Sequence, residues 1–340
     1  MSEIYMDQDY FIESSQLMHR ICLEGILLGN HASTLFEMCS SRSNGMISSS
    51  FESLVRYTTY NEELIYSSVT DPQYLLMAKE GIVQDIIQGI LNFFKRIWNS
   101  MKDFVKRAYS FNAQTMRDNK STLDRLKAKM RKHDNVDGVK VPPVVPPIRV
   151  YETLFDNLNN VMEDMAKFDM RTLSMQVDAV LDGKTTSTKF SLTYENILGA
   201  KYVDKLSSVG VVFEEESPIF KSVITSDRQS ESTIGELGYD IVSLERLTVA
   251  LNRNLKNLFD QMNRLVTILG NIVNKLTKLR LSKLDDSVKN KYDDIFAEFP
   301  KELSKIISLY HKVMSAYTAY DHNFGNTLTL LGKAINETKK

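Results

Sequence analysis

Cysteine is nearly missing from this chain: Cys22 and Cys39 are the only two in 340 residues. That excludes a disulfide scaffold, and so sparing a use of thiols suits a reducing compartment. Long apolar runs are missing too, since no stretch reaches the roughly 18 residues of a membrane-spanning helix. The first residues carry Glu3, Asp7, Asp9 and Glu13, where a secretory leader would be basic. The chain is therefore expected neither to be secreted nor to hold a transmembrane segment. Glycine (14) and proline (7) are too scarce for a collagen-like chain. Apolar residues at 43% still allow a buried core.

Catalytic signatures are absent as well. There is no phosphate-cradling glycine loop, His-Glu-x-x-His, Cys-x-x-Cys or Gly-x-Ser-x-Gly. The five histidines stand scattered at 19, 31, 133, 311 and 322. His311 and His322 lie about 16 Å apart along a continuous helix, too far to share a metal. Asp321-His322-Asn323 reads as a polar helix end. The expectation is a chain without enzymatic activity, cofactor, metal or small-molecule substrate.

Net charge is only −1, yet it is unevenly spread. Residues 1–78 hold three basic and ten acidic side chains, whereas 79–132 hold thirteen basic and five acidic. An acidic leader followed by a basic segment points to an interaction role, or to two segments that neutralise each other in one fold.

The leader, 1–80, reads as helical, with apolar spacing through Ile12, Leu17, Met18, Ile21 and Cys22. A serine-rich break falls at 40–50, a second helical segment at 51–66, and a new helix opens at Asp71-Pro72. The basic segment, 81–133, is strongly amphipathic. Ile90, Phe94, Ile97, Trp98, Met101, Phe104, Val105 and Ala108 follow helical spacing. Lys95, Arg96, Lys102, Lys106 and Arg107 occupy the other face. Such a helix can pack into a bundle, lie on an anionic membrane or present a basic face to nucleic acid. Beyond it, Arg125, Lys127, Lys129, Arg131 and Lys132 flank a thin stripe of Leu123, Leu126 and Met130, the pattern of a solvated helix able to neutralise phosphates.

Residues 134–150 contain Val141-Pro142-Pro143-Val144-Val145-Pro146-Pro147. This run reads as a semi-rigid extended spacer and the main domain boundary. Residues 151–340 then read as a helical bundle. Helix is expected at 151–167, an irregular or small β insertion at 183–238 with a strand near 209–213, and a long heptad helix at 241–283. Its seam runs through Leu244, Leu251, Leu258, Leu265, Ile272 and Leu279, with Leu255, Met262, Leu269 and Leu276 at the partner position. Phe259, Val266, Ile268 and Val273 widen the seam, so its middle should meet more than one helix. The expected partners are C-terminal helices at 287–299 and 300–320, followed by a short one at 326–336. The fold class is thus mainly α: an elongated helical bundle with one long heptad helix.

The junction Ala78-Lys79-Glu80-Gly81 falls where the charge changes sign. Small-x-Glu followed by Gly resembles the sites cut by head-maturation proteases of large contractile-tailed phages. The downstream Phe93-Phe94-Lys95-Arg96-Ile97-Trp98 also resembles helices of virion proteins of such phages. The resemblance covers roughly residues 75–110. It implies a virion structural protein internal to the head, made in the host cytoplasm, with an acidic leader removed after Glu80. Ala78 and Glu80 would be recognition positions and Gly81 the new N-terminus. The partners it implies are other virion proteins and non-specific contact with DNA; the heptad pattern offers instead a second copy through the 241–283 helix. The residues themselves leave two other readings open: a membrane-active amphipathic helical protein, and an oligomeric coiled-coil scaffold.

Overall fold

The computed structural model describes residues 16–18, 20–22, 72–132, 139–182, 184, 190, 192–214, 217–224, 232–278 and 299–338. Of these, 82% are helical, in seven long or short helices with two small antiparallel strand pairs. The fold is mainly α, as its apolar periodicity predicts. The leader outside 16–18, 20–22 and 72–80, the serine-rich break, residues 225–231, Leu279 and the segment 287–298 lie outside the described residues.

Helix α1, Pro72–Met130, is a single rod of 59 residues, about 88 Å long at 1.5 Å per residue. It does not end near Phe111, where its apolar face thins. Leu123, Leu126 and Met130 are fully buried and carry the helix to its end. The backbone is also helical through Ala78 to Gly81.

The proline-rich segment is not a free spacer. Lys140–Val141 (β1) pairs antiparallel with Ser232–Thr233 (β4), and Val141, Pro147 and Ile148 are buried. The peptide bond before Pro146 is cis. The segment is a packed strap, because its apolar side chains cover the end of the bundle instead of facing water. Among the described residues, α1 shares one core with the helices on the far side of the strap.

Helix α2 (Val150–Lys167) buries Leu154, Phe155, Leu158, Val161, Met162 and Met165 on one face. Gln261 donates to the Ala166 and Phe168 carbonyls, and the Tyr310 hydroxyl donates to the Met165 carbonyl (3.1 Å), so the exposed end of α2 is closed by its neighbours. Helix α3 (Met170–Leu181) follows at once. The helix expected at 151–167 ends where α2 does, and the pattern names no element at 168–182. The Asp169 side chain accepts from the Arg171 and Thr172 amides (both 3.1 Å) and caps the new helix.

The insertion holds α4 (Tyr194–Leu198), α5 (Tyr202–Ser208) and a hairpin of β2 (Val211–Glu214) with β3 (Ser217–Phe220). Helix α6 (Ile234–Lys278) begins seven residues before the heptad does. Thr233 and Glu236 cap it reciprocally, the Thr233 amide donating to Glu236 Oε2 (2.9 Å) and the Glu236 amide to Thr233 Oγ1 (3.2 Å). Helix α7 (Phe299–Glu337) is one helix of 39 residues, where separate helices at 300–320 and 326–336 are expected from the pattern.

These helices form a four-membered ring in the order α1, α6, α2, α7. Side-chain pairs fix the directions. Phe94 meets Phe299, Phe104 meets His311 and Asn119 meets Asp321, so α1 and α7 run parallel. Tyr109 meets Phe259 and Lys127 meets Glu245, so α6 runs antiparallel to α1. The α2–α7 edge is the sparsest, and α4, α5 and the hairpin cover it. Tyr320 of α7 fixes the hairpin, donating to the Val209 carbonyl (3.1 Å) and accepting from the Val223 amide (3.3 Å).

The heptad seam is consumed inside the chain. Leu244, Leu251, Leu255, Leu258, Met262, Leu265, Leu269, Ile272 and Leu276 are all buried, as are Phe259, Ile268 and Val273. Their main partners are α1, α2 and α3 rather than the C-terminal helix. In the ring α7 stands opposite α6, with α1 and α2 between them.

Candidate functional site

Two features of α1 carry the chemistry: a buried polar seam against α7 and a cationic outer face. The seam begins at Asn112, whose Oδ1 accepts from the Thr318 hydroxyl (3.1 Å) and whose Nδ2 reaches Met314 Sδ (3.5 Å). Two turns on, Asn119 Nδ2 donates to Asp321 Oδ1 (2.7 Å) and to the Asp321 carbonyl (2.9 Å). All these side chains are buried. Gly325 makes the approach possible, since a Cβ there would lie 2.3 Å from Asn119 Oδ1.

Asp321 is therefore no polar helix end. Burial pushes its carboxyl up to about 7, against the opposing hydrogen bonds of Asn119 and Tyr317. The Tyr317 phenol is raised well above its usual range, by burial first and by the Asp321 charge second. No cation balances the carboxyl among the described residues, so the pair holds its proton more readily than a surface aspartate would. A buried, perturbed carboxyl marks many active sites. Here it faces packed side chains of α1 and α7, which suits a role in fixing helix register.

The ten basic residues marked by the sequence divide into two groups. Arg96, Lys102, Lys106, Arg107, Arg125, Arg131 and Lys132 are exposed. Lys102 stacks over the Trp98 ring at 4.9 Å. Lys95, Lys127 and Lys129 are half-buried. Lys127 pairs with Glu245 of α6, and Lys129 Nζ lies 3.5 Å from the Gly332 carbonyl of α7. Those two cations tie the bundle together and are withdrawn from the outer face.

The apolar face of the same helix is spent in the core: Ile90, Phe93, Phe94, Ile97, Met101, Phe104, Val105 and Ala108 are all buried. No helix among the described residues is long and apolar enough to cross a membrane.

No family model, curated protein or solved structure matches this chain.

The leader touches the bundle at one described place. Met18, Ile21 and Cys22 join the core. The Cys22 thiol, pushed up to about 12 by burial, lies close enough to Lys312 of α7 to interact with its charge. The seam residues Leu244 to Leu276 are brought together as the spacing predicts. What periodicity misses is the Asn119–Asp321 pair, because a polar residue inside an apolar stripe carries no sign of its distant partner.

Proposed function

We propose that this chain is a non-enzymatic structural protein of a contractile-tailed phage virion, carried inside the head. Its acidic leader would be removed after Glu80, leaving a rigid helical body with a basic outer face. The carrying observation is the charge reversal at the Glu80-Gly81 junction. Cutting there would remove the first nine residues of α1 (72–80) and leave its remainder joined to α2, α6 and α7 in one chain. The leader's contribution to the core, Met18, Ile21 and Cys22, would then be free to dissociate from α7.

Two other uses of these helices are weaker on physical grounds. A membrane-active helix needs its apolar face available, and releasing that of α1 would break contacts with both α6 and α7. A coiled-coil scaffold needs the heptad seam between chains, whereas the seam is buried within one. Self-association through α6 would have to use its outward residues, among them the exposed Tyr239.

Particle fractionation tests the location. Under this reading the chain co-sediments with filled heads, resists external protease until the heads are opened, and is then digested. Recovery only in the soluble host fraction, or digestion on intact particles, argues against it.

A further inference from the structure

The exposed cations of α1 do not stand alone. At 100° per residue, Lys106, Lys102, Arg117, Lys120 and Arg131 fall within about 40° of one line along α1, over about 44 Å. That line lies on the flank just outside Trp98, Tyr109 and Lys127, the residues that meet α6. On α6, Arg246, Arg253 and Arg264 fall within about 20° of a second line, over about 27 Å. All three are exposed, and Lys256, also exposed, is turned toward α1. This second line runs between the α6 edge that touches α1 and the edge that touches α2 through Ser243, Asn254 and Gln261.

The antiparallel register set by Tyr109–Phe259 and Lys127–Glu245 brings Arg264 level with Lys106 and Arg253 level with Arg117. Packed helices lie about 8–10 Å apart, so the two lines are neighbouring cationic rails. Asp124 and Asp260 are the acidic residues on these lines.

We infer that the α1–α6 pair is one platform for the phosphate backbone of duplex nucleic acid, bound without base readout. Nothing in the sequence pattern of α6 singles out its arginines, because the heptad draws attention to the buried side. Rigid rails with few apolar residues fit a phosphate array, which is read by charge alone. Lipid fits less well: Tyr109, Tyr239, Val242 and Val249 are the exposed large apolar residues beside the rails, scattered singly, and an in-plane helix buries a whole apolar face. The partner's identity rests on the virion reading, while the platform does not.

The test uses the full chain and a fluorescent mixed-sequence duplex of roughly two helical turns, followed by anisotropy. With about five phosphates neutralised, affinity should fall roughly 100- to 1,000-fold between about 50 and 200 mM salt. The variant Arg253→Gln/Lys256→Gln/Arg264→Gln should bind at least about tenfold more weakly with a shallower salt slope. Lys102→Gln/Lys106→Gln/Lys120→Gln should lose as much. Lys167→Gln/Lys184→Gln/Lys221→Gln removes equal charge from other surfaces and should change binding little. Circular dichroism confirms that each variant is folded. Equal losses in all three variants, no binding at low salt, or flotation with phosphatidylserine vesicles in place of duplex binding would each overturn the platform. A mature chain beginning at Gly81 that ignores duplex refutes the platform alone; duplex binding by a chain never cut refutes the processing alone.

Discussion

Asn119 on α1 and Asp321 on α7 hold the two parallel helices in register through bonds of 2.7 and 2.9 Å from one amide nitrogen. A shift of either helix by one residue would leave both groups buried without partners, at a cost of about 1–3 kcal/mol each. The pair therefore specifies alignment where the surrounding apolar side chains would tolerate sliding.

Asp321 also makes stability depend on pH. Its carboxyl is raised by burial from 3.8 to about 7 in the folded chain. Between those values the folded state holds a proton that the unfolded state has released, so this residue makes stability fall as pH rises through that window and level off above it. Asp321→Asn keeps an acceptor for Asn119 and removes the ionisation. The variant should gain stability over the parent as pH rises from 4 toward 7, reaching at most about 4 kcal/mol. Urea unfolding of both proteins across this range checks it; a constant difference would show that Asp321 does not titrate there.

Gly325 is the notch into which Asn119 fits. Gly325→Ala places a methyl group against Asn119 Oδ1 and should destabilise the fold by about 1–3 kcal/mol. Added to Asn119→Ala, the same change should cost much less, because the clash is gone. Additive losses in the double-mutant cycle would contradict the contact.

The seam of α6 is internal, so its truncation should weaken the monomer. Leu265→Ala should cost about 2–5 kcal/mol, while the exposed Val249→Ala should stay within about 0.5 kcal/mol. Neither unfolding midpoint should change with protein concentration. A midpoint that rises with concentration would move the seam between chains.

Cys22 reports on the leader's docking. Its buried thiol, raised to about 12, should resist maleimide in a Cys39→Ser chain until denaturant is added. Rapid labelling of the folded chain would mean that the 16–22 stretch does not hold its place beside Lys312.

Much of this architecture is legible in the sequence because burial repeats. Leu244, Leu251, Leu258, Leu265 and Ile272 recur every seven residues, as do Leu255, Met262, Leu269 and Leu276, and each is buried. The limits of the reading have equally physical causes. Periodicity says which face of α6 is buried but not against what, so it does not single out α1 as the main partner. The Thr233-x-x-Glu236 capping box marks the true start of α6, upstream of the heptad. Proline marks the strap as non-helical, yet only three-dimensional packing reveals that Val141 and Ile148 belong to the core. The cationic residues of α1 stand out as a run, whereas Lys127 and Lys129 are spent on α6 and α7, which no local pattern discloses.

The most direct test of the virion reading is intact-mass analysis with N-terminal sequencing of the protein from mature particles. The account predicts a chain that begins at Gly81. A particle-borne chain that still begins at Met1 or Ser2 would contradict it, and would return the acidic leader to the fold as a permanent part.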